Sequence, residues 1–137
     1  MNELQALATK YYEDTEMSAS ISSTSFLNDF DGMIILPATV KTIAGIAQAY
    51  TDNLITRTAD NFLRYKKKLI IAFRETPIST GCIHNLYLLS LQGTVIFPLS
   101  PGFYHKPKNL NELKDFITGK LLDLLEIKNS KFKRWKG

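Results

Sequence analysis

The sequence contains very little cysteine and histidine. Cys82 is the only cysteine among 137 residues, so no disulfide can form within the chain. The only histidines are His84 and His105. A structural zinc site needs several such ligands, so we expect no protein-bound metal. The scarcity of cysteine is also typical of proteins that work in a reducing compartment.

The sequence also lacks a long apolar run. No stretch is long enough to cross a bilayer, and the start, MNELQALATKYYED, has neither the basic flank nor the apolar core of a signal peptide. We therefore expect a cytoplasmic protein without a membrane partner. Because 45% of the residues are hydrophobic, we expect one globular domain at residues 1–127 and a basic tail at residues 128–137.

Positive charge is in modest excess and concentrated in two places. The formal net charge is +4, and the basic residues cluster around Lys66 and in the tail, KNSKFKRWKG. Phe132 and Trp135 alternate with the basic residues of the tail, a pattern that could grip nucleic acid through phosphate contacts and stacking. No recognised nucleic-acid module precedes the tail. We therefore favour a solvated or subunit-docking tail and expect no nucleic-acid partner.

Three short apolar runs alternate with helical patterns. The runs MIIL (33–36), LIIAF (69–73) and TVIF (94–97) are typical of buried strands. Strands that are apolar on both faces and separated by helices predict parallel crossover connections. The predicted fold is therefore α/β, with a three-layer Rossmann-like or flavodoxin-like parallel sheet and helices on both faces.

Four helices are predicted around these strands. Asp52 is the expected cap of the second helix, Gly93 closes the third, and the fourth runs from about Asn111 to Ile127. The predicted buried faces are Ile43, Ile46, Ala47 and Tyr50 in the first, Leu54, Ile55, Ala59, Phe62 and Leu63 in the second, and Leu113, Phe116, Ile117, Leu121, Leu124 and Leu125 in the fourth.

A polar loop follows each predicted strand. Ligands of open parallel sheets bind beyond the carboxyl ends of the strands, so these loops are expected to converge on one site. Helix N-termini and arginine side chains are good partners for phosphate. The residues alone therefore predict a phosphorylated ligand. The candidate residues are Thr39, Lys41, Thr42, Arg74, Glu75, Tyr104, His105 and Lys106.

Each candidate also has a purely structural explanation. Taken alone, Thr39 or Thr42 is better explained as a helix cap. Glu75 could simply neutralise Arg74 in an exposed ion pair, which contributes little stability. Tyr104 could be a core aromatic, and we assign His84 to packing inside its helix. Three polar strand ends at one edge together favour an anionic-ligand site over these separate explanations.

Several long strings resemble the UbiX family of flavin prenyltransferases. They are SASISSTSF, DGMIILPATVKTIAGIAQAYTDNLITRTAD, IIAFRETPIS, GTVIFPLSPGFYHKP and the ending KRWKG, in the family's order and spacing. The resemblance implies an enzyme that joins the dimethylallyl group of dimethylallyl phosphate to reduced FMN without a metal. It implies prenylated FMN as the product, a UbiD-type decarboxylase as its recipient, and a homo-oligomer of trimers packed into a dodecamer.

The resemblance also assigns roles to individual residues. Glu75 matches the acid that moves protons during ring closure, and Arg74 matches an arginine that contacts flavin and phosphate. The residues that match the FMN-contacting loop are Thr39, Val40, Lys41 and Thr42. Those that match positions around the donor phosphate are Arg57, Arg64, Tyr104 and Lys120. Some of these contacts cross between subunits in the family.

The sequence departs from the family pattern at several positions and at its N-terminal side. Ala38-Thr39 stands where Cys-Ser is usual, Arg64 where a lysine is usual and Lys120 where an arginine is common, so a hydroxyl and the positive charges are kept. Thr24 stands where a glycine is usual, which predicts an altered tight turn. Family members also begin with a strand, a Gly-Ala-Ser-Gly turn, a helix and a second strand that this sequence does not match, so we expect a fold shortened at its N-terminal side. Two hypotheses stay open: an active prenyltransferase whose start is misassigned or whose first segment is supplied separately, and a noncatalytic flavin-binding or assembly subunit.

Overall fold

The fold is a parallel sheet with helices on both faces. A computed structural model describes residues 2–134; Trp135 and Lys136 of the predicted basic tail lie outside the described residues. The elements in chain order are α1 (Asn2–Leu7), two 3-10 helices (Ser20–Ser22 and Thr24–Asp29), β1 (Met33–Ala38), α2 (Val40–Ala47), α3 (Leu54–Arg64), β2 (Leu69–Phe73), α4 (Thr80–Leu91), β3 (Val95–Pro98) and α5 (Leu110–Leu124).

The three strands lie in the order β1-β2-β3, and both pairings are parallel. All five residues of β2 are buried, because this central strand is covered by strands at its sides and by helices on its faces. The sequence LIIAF is apolar on both faces, as such a strand requires. The predicted parallel crossover topology is therefore confirmed.

Helices cover the two faces unequally. On one face, α2, α3 and α4 pack on Leu69, Ile71 and Phe73. On the other, α5 packs on Ile70 and Ala72. The predicted α/β fold with three layers, of the flavodoxin-like kind, is confirmed. The residues against the sheet are Ile117, Leu121 and Leu124 of α5 and Leu125 directly after it; Leu121 is fully buried and the others are half-buried.

Several predicted boundaries differ from the structure. β3 spans Val95–Pro98 rather than 94–97, and α5 runs from Leu110 to Leu124 rather than from about Asn111 to Ile127. β1 continues through Pro37 to Ala38, although Pro37 was expected to end it. Proline is tolerated there because β1 pairs only with β2 among the described strands, and the register shifts between Ile35 and Ala38. The cap of α3 is Asn53 rather than Asp52, since its side chain accepts from Thr56 N at 2.9 Å and completes a capping box.

The buried face of α3 includes polar residues, and not every apolar residue predicted for it is buried. Asn61 is fully buried and donates to Ser22 O at 2.8 Å, and Thr58 donates to Ile21 O at 3.3 Å. Tyr50 and Ile55 were predicted to be buried, but they are 64% and 38% exposed. The serine-rich segment occupies the space that a purely apolar face would have needed.

The structure also tests the predictions for Gly93, His84 and Thr24. Gly93 follows the end of α4 with a φ of +90°, a backbone conformation suited to glycine, so its predicted role is confirmed. His84 is exposed, so its assignment to packing was wrong. Thr24 begins a 3-10 helix and has no positive φ, so a backbone that requires glycine is not present there.

The described part of the tail contacts α5. Asn129 donates to Gly119 O at 3.2 Å, and Arg134 donates to both carboxylate oxygens of Asp123 at 2.8 and 2.6 Å. Residues 129–134 therefore fold back on α5, although most of them remain exposed. The solvated or subunit-docking tail stays a prediction.

Candidate functional site

Two of the three polar loops leave the sheet side by side. Ala38 and Phe73 are register partners in adjacent strands, so Thr39 and Arg74 follow directly at the same edge. Leu99 N donates to Phe73 O at 2.7 Å, which brings the start of the third loop to this edge as well. The predicted convergence at the carboxyl ends of the strands is confirmed for these loop starts. We call Thr39, Val40, Lys41, Thr42, Arg74 and Glu75 the strand-end group.

Thr39 is the N-cap of α2. Its Oγ1 accepts from Thr42 N at 3.1 Å and lies 2.9 Å from Thr42 Oγ1, so the helix-cap explanation is correct for Thr39. The cap fixes the first turn of the helix and satisfies one of its backbone donors. The N–H groups of Val40 and Lys41 make no hydrogen bond within residues 2–134. These N–H groups form the positive end of the α2 dipole, which therefore lies at this edge.

Arg74 and Glu75 do not form the ion pair that the structural explanation required. Both side chains are exposed, and neither makes a salt bridge with any described residue. A guanidinium and a carboxylate therefore follow β2 at the edge where α2 begins, and neither has a hydrogen-bond or ionic partner within residues 2–134. Such an arrangement can take an anion and a proton at neighbouring positions.

Lys41 borders a cleft between α2 and the start of α3. Its Nζ lies 3.4 Å from Asp52 Oδ2, and its side chain is 77% exposed. The cleft has a volume of about 300 Å³. Arg57 is half-buried on α3, directly after Thr56, which lines the cleft. The lining includes Lys41, Thr42, Gly45, Asp52, Asn53 and Thr56.

Tyr104, in the loop that follows β3, and Lys120, on α5, both lie beside the Phe116 ring of α5. The Tyr104 ring meets the Phe116 ring edge-on at 5.8 Å, and Lys120 Nζ lies 5.8 Å from the centroid of the same ring. Tyr104 is 54% exposed, so it is not a core aromatic. We call Tyr104 and Lys120 the α5 group. Its members are two of the residues predicted to surround a donor phosphate.

The rings around the α5 group were not anticipated from the sequence. His105 stacks on Phe116 at 5.1 Å, and Phe132 meets Phe116 at 5.2 Å. Both ring nitrogens of His105 are buried without a partner among the described residues. His105 was expected at the strand ends, but it turns towards α5. The four-residue spacing of Phe116 and Lys120 was the available signal, because such residues share a helix face.

Arg64 lies apart from the strand-end group of its own chain. It ends α3, pairs with Asp60 Oδ2 at 3.0 Å and donates to Asn61 Oδ1. Arg64 precedes β2 and Arg74 follows it, so the length of the strand, roughly 16 Å, separates them. One chain does not bring these two arginines together. A site that used both would need a second copy of the chain.

The described residues offer neither a metal cluster nor a membrane span. No three side chains of the metal-binding types come together within residues 2–134. In the same part of the chain, no helix combines the length and apolar character that crossing a bilayer demands.

Known proteins resemble this chain over nearly its whole length. The matching family model is Flavoprotein, at residues 1–122. Flavin prenyltransferase UbiX of Saccharolobus solfataricus is 44% identical over 137 residues, which are 100% of this chain and 68% of that relative. The structure of AnUbiX (PadA1) in complex with FMN and dimethylallyl pyrophosphate has a TM-score of 0.95 and 38% identity, and the match covers 99% of this chain and 71% of that one.

A second solved structure is a dodecameric FMN-dependent Ubix-like decarboxylase from Escherichia coli O157:H7. Its TM-score is 0.94 and its identity 34%, and the match covers 99% of this chain and 72% of that one. The fold and the sequence therefore point to the same group of proteins.

Proposed function

The chain belongs to the Flavoprotein family, and we propose that it is a flavin prenyltransferase, which joins the dimethylallyl group of dimethylallyl phosphate to reduced FMN. The observation that carries the proposal is the strand-end group. Arg74 and Glu75 make no salt bridge with a described residue and follow β2 at the edge where α2 begins, the edge at which parallel sheets generally bind ligands. Relatives named flavin prenyltransferases and a solved neighbour with FMN support the same activity.

The strand-end group is suited to holding FMN. Arg74 would bind the negatively charged parts of the flavin, because an arginine donates charge-assisted hydrogen bonds to oxyanions. The Val40 and Lys41 N–H groups, which have no partner among the described residues, and the Lys41 ammonium add positive potential. Reduced FMN supplies the electron-rich ring system that accepts the allylic carbon.

The α5 group is suited to the phosphate of the prenyl donor. Breaking the carbon–oxygen bond leaves the bonding electron pair on the phosphate, so negative charge develops there during transfer. The Lys120 ammonium and the Tyr104 hydroxyl can stabilise that charge. Arg57 and Arg64 are further cations that we propose for the donor phosphate. Electron-rich aromatic faces can stabilise the positive charge on the allyl group.

Glu75 is the proposed proton-transfer group. Its carboxylate is next to Arg74 in sequence but forms no salt bridge with a described residue, so its oxygens remain available. While a new ring closes, Glu75 would move protons in both directions: one to the double bond of the transferred prenyl group and one away from the ring carbon that forms the bond. Glu75 would thus act on the flavin after Arg74 has bound it.

We also propose that the protein works as a homo-oligomer, built as trimers that pack into a dodecamer. Ile83, Tyr87 and Leu91 recur at four-residue spacing on α4 and are 56%, 58% and 66% exposed. This apolar stripe would be covered by another copy of the chain. The separation of Arg64 from Arg74 supports the same conclusion, because a neighbouring copy could bring Arg64 to the strand ends. Light scattering measures the oligomer directly.

The proposed product is a modified cofactor, so a second protein must use it. We propose a UbiD-type decarboxylase as the recipient and the cytoplasm as the location. The family resemblance supports the recipient, and the single cysteine is typical of a reducing compartment.

The test is anaerobic incubation of the protein with reduced FMN and dimethylallyl phosphate, followed by native mass spectrometry of the bound flavin. A parallel sample contains dimethylallyl pyrophosphate, and controls omit the donor or keep FMN oxidised. A bound flavin that carries the added prenyl mass supports the proposed enzyme. Bound but unmodified FMN supports the noncatalytic flavin-binding or assembly subunit, and no bound flavin contradicts both.

A further inference from the structure

The tail segment, residues 129–134, is held on α5 by specific bonds. Asn129 Nδ2 donates to Asp123 Oδ1 at 2.9 Å, and Arg134 grips the same carboxylate with both of its terminal nitrogens. Lys131 adds an ion pair with Asp115 at 3.4 Å. Several bonds along one segment define its position on the helix more closely than a single surface ion pair would.

These bonds place the Phe132 ring against the helix backbone. The ring lies over Gly119, where an added Cβ would overlap it, and it meets Phe116 at an interplanar angle of 68°. The guanidinium carbon of Arg134 lies 5.1 Å from the centroid of the Phe132 ring. The Phe132 ring can therefore pack against the helix only because Gly119 has no side chain.

The seated ring lies beside the ammonium of Lys120. Lys120 Nζ is 5.2 Å from the centroid of Phe132 and 5.8 Å from that of Phe116. Aromatic faces attract a cation but do not neutralise it as a carboxylate would. Lys120 makes no salt bridge with a described residue, so its charge is available to an anion.

A lysine side chain normally samples many rotamers, and binding an anion costs the entropy of fixing one of them. Contacts with two rings restrict Lys120 before a ligand arrives. The Tyr104 ring also packs on Phe116, so Tyr104 and Lys120 contact the same ring. Such prior restriction raises affinity without a new contact to the ligand.

We propose that Phe132 is a positioning residue, which holds the Lys120 ammonium where it binds the phosphate of the prenyl donor. The proposal rests on the function proposed above, because that function gives Lys120 its ligand. It makes the tail segment part of the donor site rather than a surface appendage. Phe132 itself does not contact the reacting atoms; it acts through Lys120.

The test compares Phe132→Leu with the conservative variant Phe132→Tyr. Removing the aromatic face should raise KM for dimethylallyl phosphate about two- to fivefold, as expected for an exposed cation–π contact. The value of kcat and the dissociation constant for FMN should stay near those of the wild type. Phe132→Tyr keeps the aromatic face and should restore KM. An unchanged KM in Phe132→Leu, or equal losses in both variants, would overturn the proposal.

A double-mutant cycle with Lys120→Met separates positioning from general loosening of the tail. If Phe132 acts through Lys120, adding Phe132→Leu to Lys120→Met should raise KM no further. An additional increase in the double variant would show an effect independent of Lys120 and would contradict the proposal.

A readout without catalysis keeps this test separate from that of the proposed function. In protein carrying ¹³C-methyl groups on its lysines, the Lys120 methyl signal should show a ring-current shift that Phe132→Leu reduces and Phe132→Tyr restores. If the wild type forms no product, the proposed function fails, and this shift still decides whether Phe132 positions Lys120. A Lys120 signal that is unaffected by Phe132→Leu would overturn the positioning role.

Discussion

The strand-end group and the α5 group reach their positions by different means. Arg74 and Glu75 are carried by the end of a fully buried strand and have no ionic partner within the described residues. Lys120, by contrast, is surrounded by rings that the folded-back tail completes. The backbone therefore places Arg74 and Glu75, whereas side-chain packing positions Lys120.

Charges that are already paired serve a different purpose from those left unpaired. Arg134 is engaged by Asp123 through two hydrogen bonds, so its positive charge is committed to the tail. Arg74 has no ionic partner among the described residues, so its guanidinium can bind a ligand. The difference predicts that substitutions at the strand ends impair chemistry and ligand binding, whereas substitutions of the paired residues mainly loosen local structure.

The largest effect is expected for Glu75→Gln. The amide keeps the size and polarity of the side chain but cannot accept the proton, so the rate of prenylated FMN formation should fall by about 10²- to 10⁴-fold. The dissociation constant for FMN should change little. Rapid-quench kinetics and a flavin titration measure the two quantities.

Glu126→Gln is the matched control for that experiment. Glu126 is also an exposed carboxylate, but it forms an ion pair with Lys68 at 2.6 Å. Its variant should form product at the wild-type rate. Equal rate losses at positions 75 and 126 would mean that Glu75 has no special role in proton transfer.

The next effect in size is expected for Lys120→Met. Loss of a charge-assisted bond of about 1.5–3 kcal/mol should raise KM for dimethylallyl phosphate by roughly 10- to 100-fold, with FMN binding unchanged. Lys114→Met removes an exposed lysine from the same helix without a described salt bridge. Steady-state kinetics measure KM for both variants. The same increase in both would mean that Lys120 acts only as general surface charge and not as part of the α5 group.

A smaller effect is expected for Thr39→Ala. The variant loses the cap of α2, so the free energy of unfolding should fall by about 1 kcal/mol. Thr39→Ser retains the hydroxyl that accepts from Thr42 N and should remain close to the wild type. Urea unfolding measures both. Equal destabilisation of the two variants would mean that the hydroxyl bond is not the source of the stability.

The sequence patterns predicted the sheet well because buried parallel strands carry continuous apolar runs. LIIAF was assigned with the bounds that the structure has, and Gly93 ended the helix as expected. Helix faces were harder to predict, because Asn61 and Thr58 are buried through hydrogen bonds with a segment far away in sequence. Periodicity counts apolar residues and does not register such partners.

The same limit applies to the candidate site. Thr39 and Arg74 could be placed together because strand order and direction determine where their loops begin. The position of Tyr104 could not be predicted, because an irregular segment leads to it and the packing of Phe116 directs its ring. The docking of Phe132 depended on an absent side chain at Gly119, which no pattern of apolar residues reveals.

The smallest effect is expected from pH. Arg134 lowers the pKa of the Asp123 carboxyl below its ordinary value of 3.8, with help from Asn129 and Lys120. The stabilisation is therefore fully present above that value and is lost as the pH falls through the lower pKa of the folded state. Nuclear Overhauser contacts between the Phe132 and Phe116 rings should persist from neutral pH down to about pH 5. Their loss near neutral pH would contradict this role of Asp123.

The different roles of the unpaired Arg74 and the paired Arg134 are tested most directly by an FMN titration. The wild type, Arg74→Ala and Arg134→Ala are titrated, and the Tm of each protein is measured in parallel. Arg74→Ala should weaken FMN binding by roughly 10- to 100-fold, the loss of bonds to a charged group, and should keep the wild-type Tm. Arg134→Ala should bind FMN like the wild type and lose the contact between Phe132 and Phe116. Unchanged FMN affinity in Arg74→Ala, or an equal loss of affinity in both variants, would contradict the account.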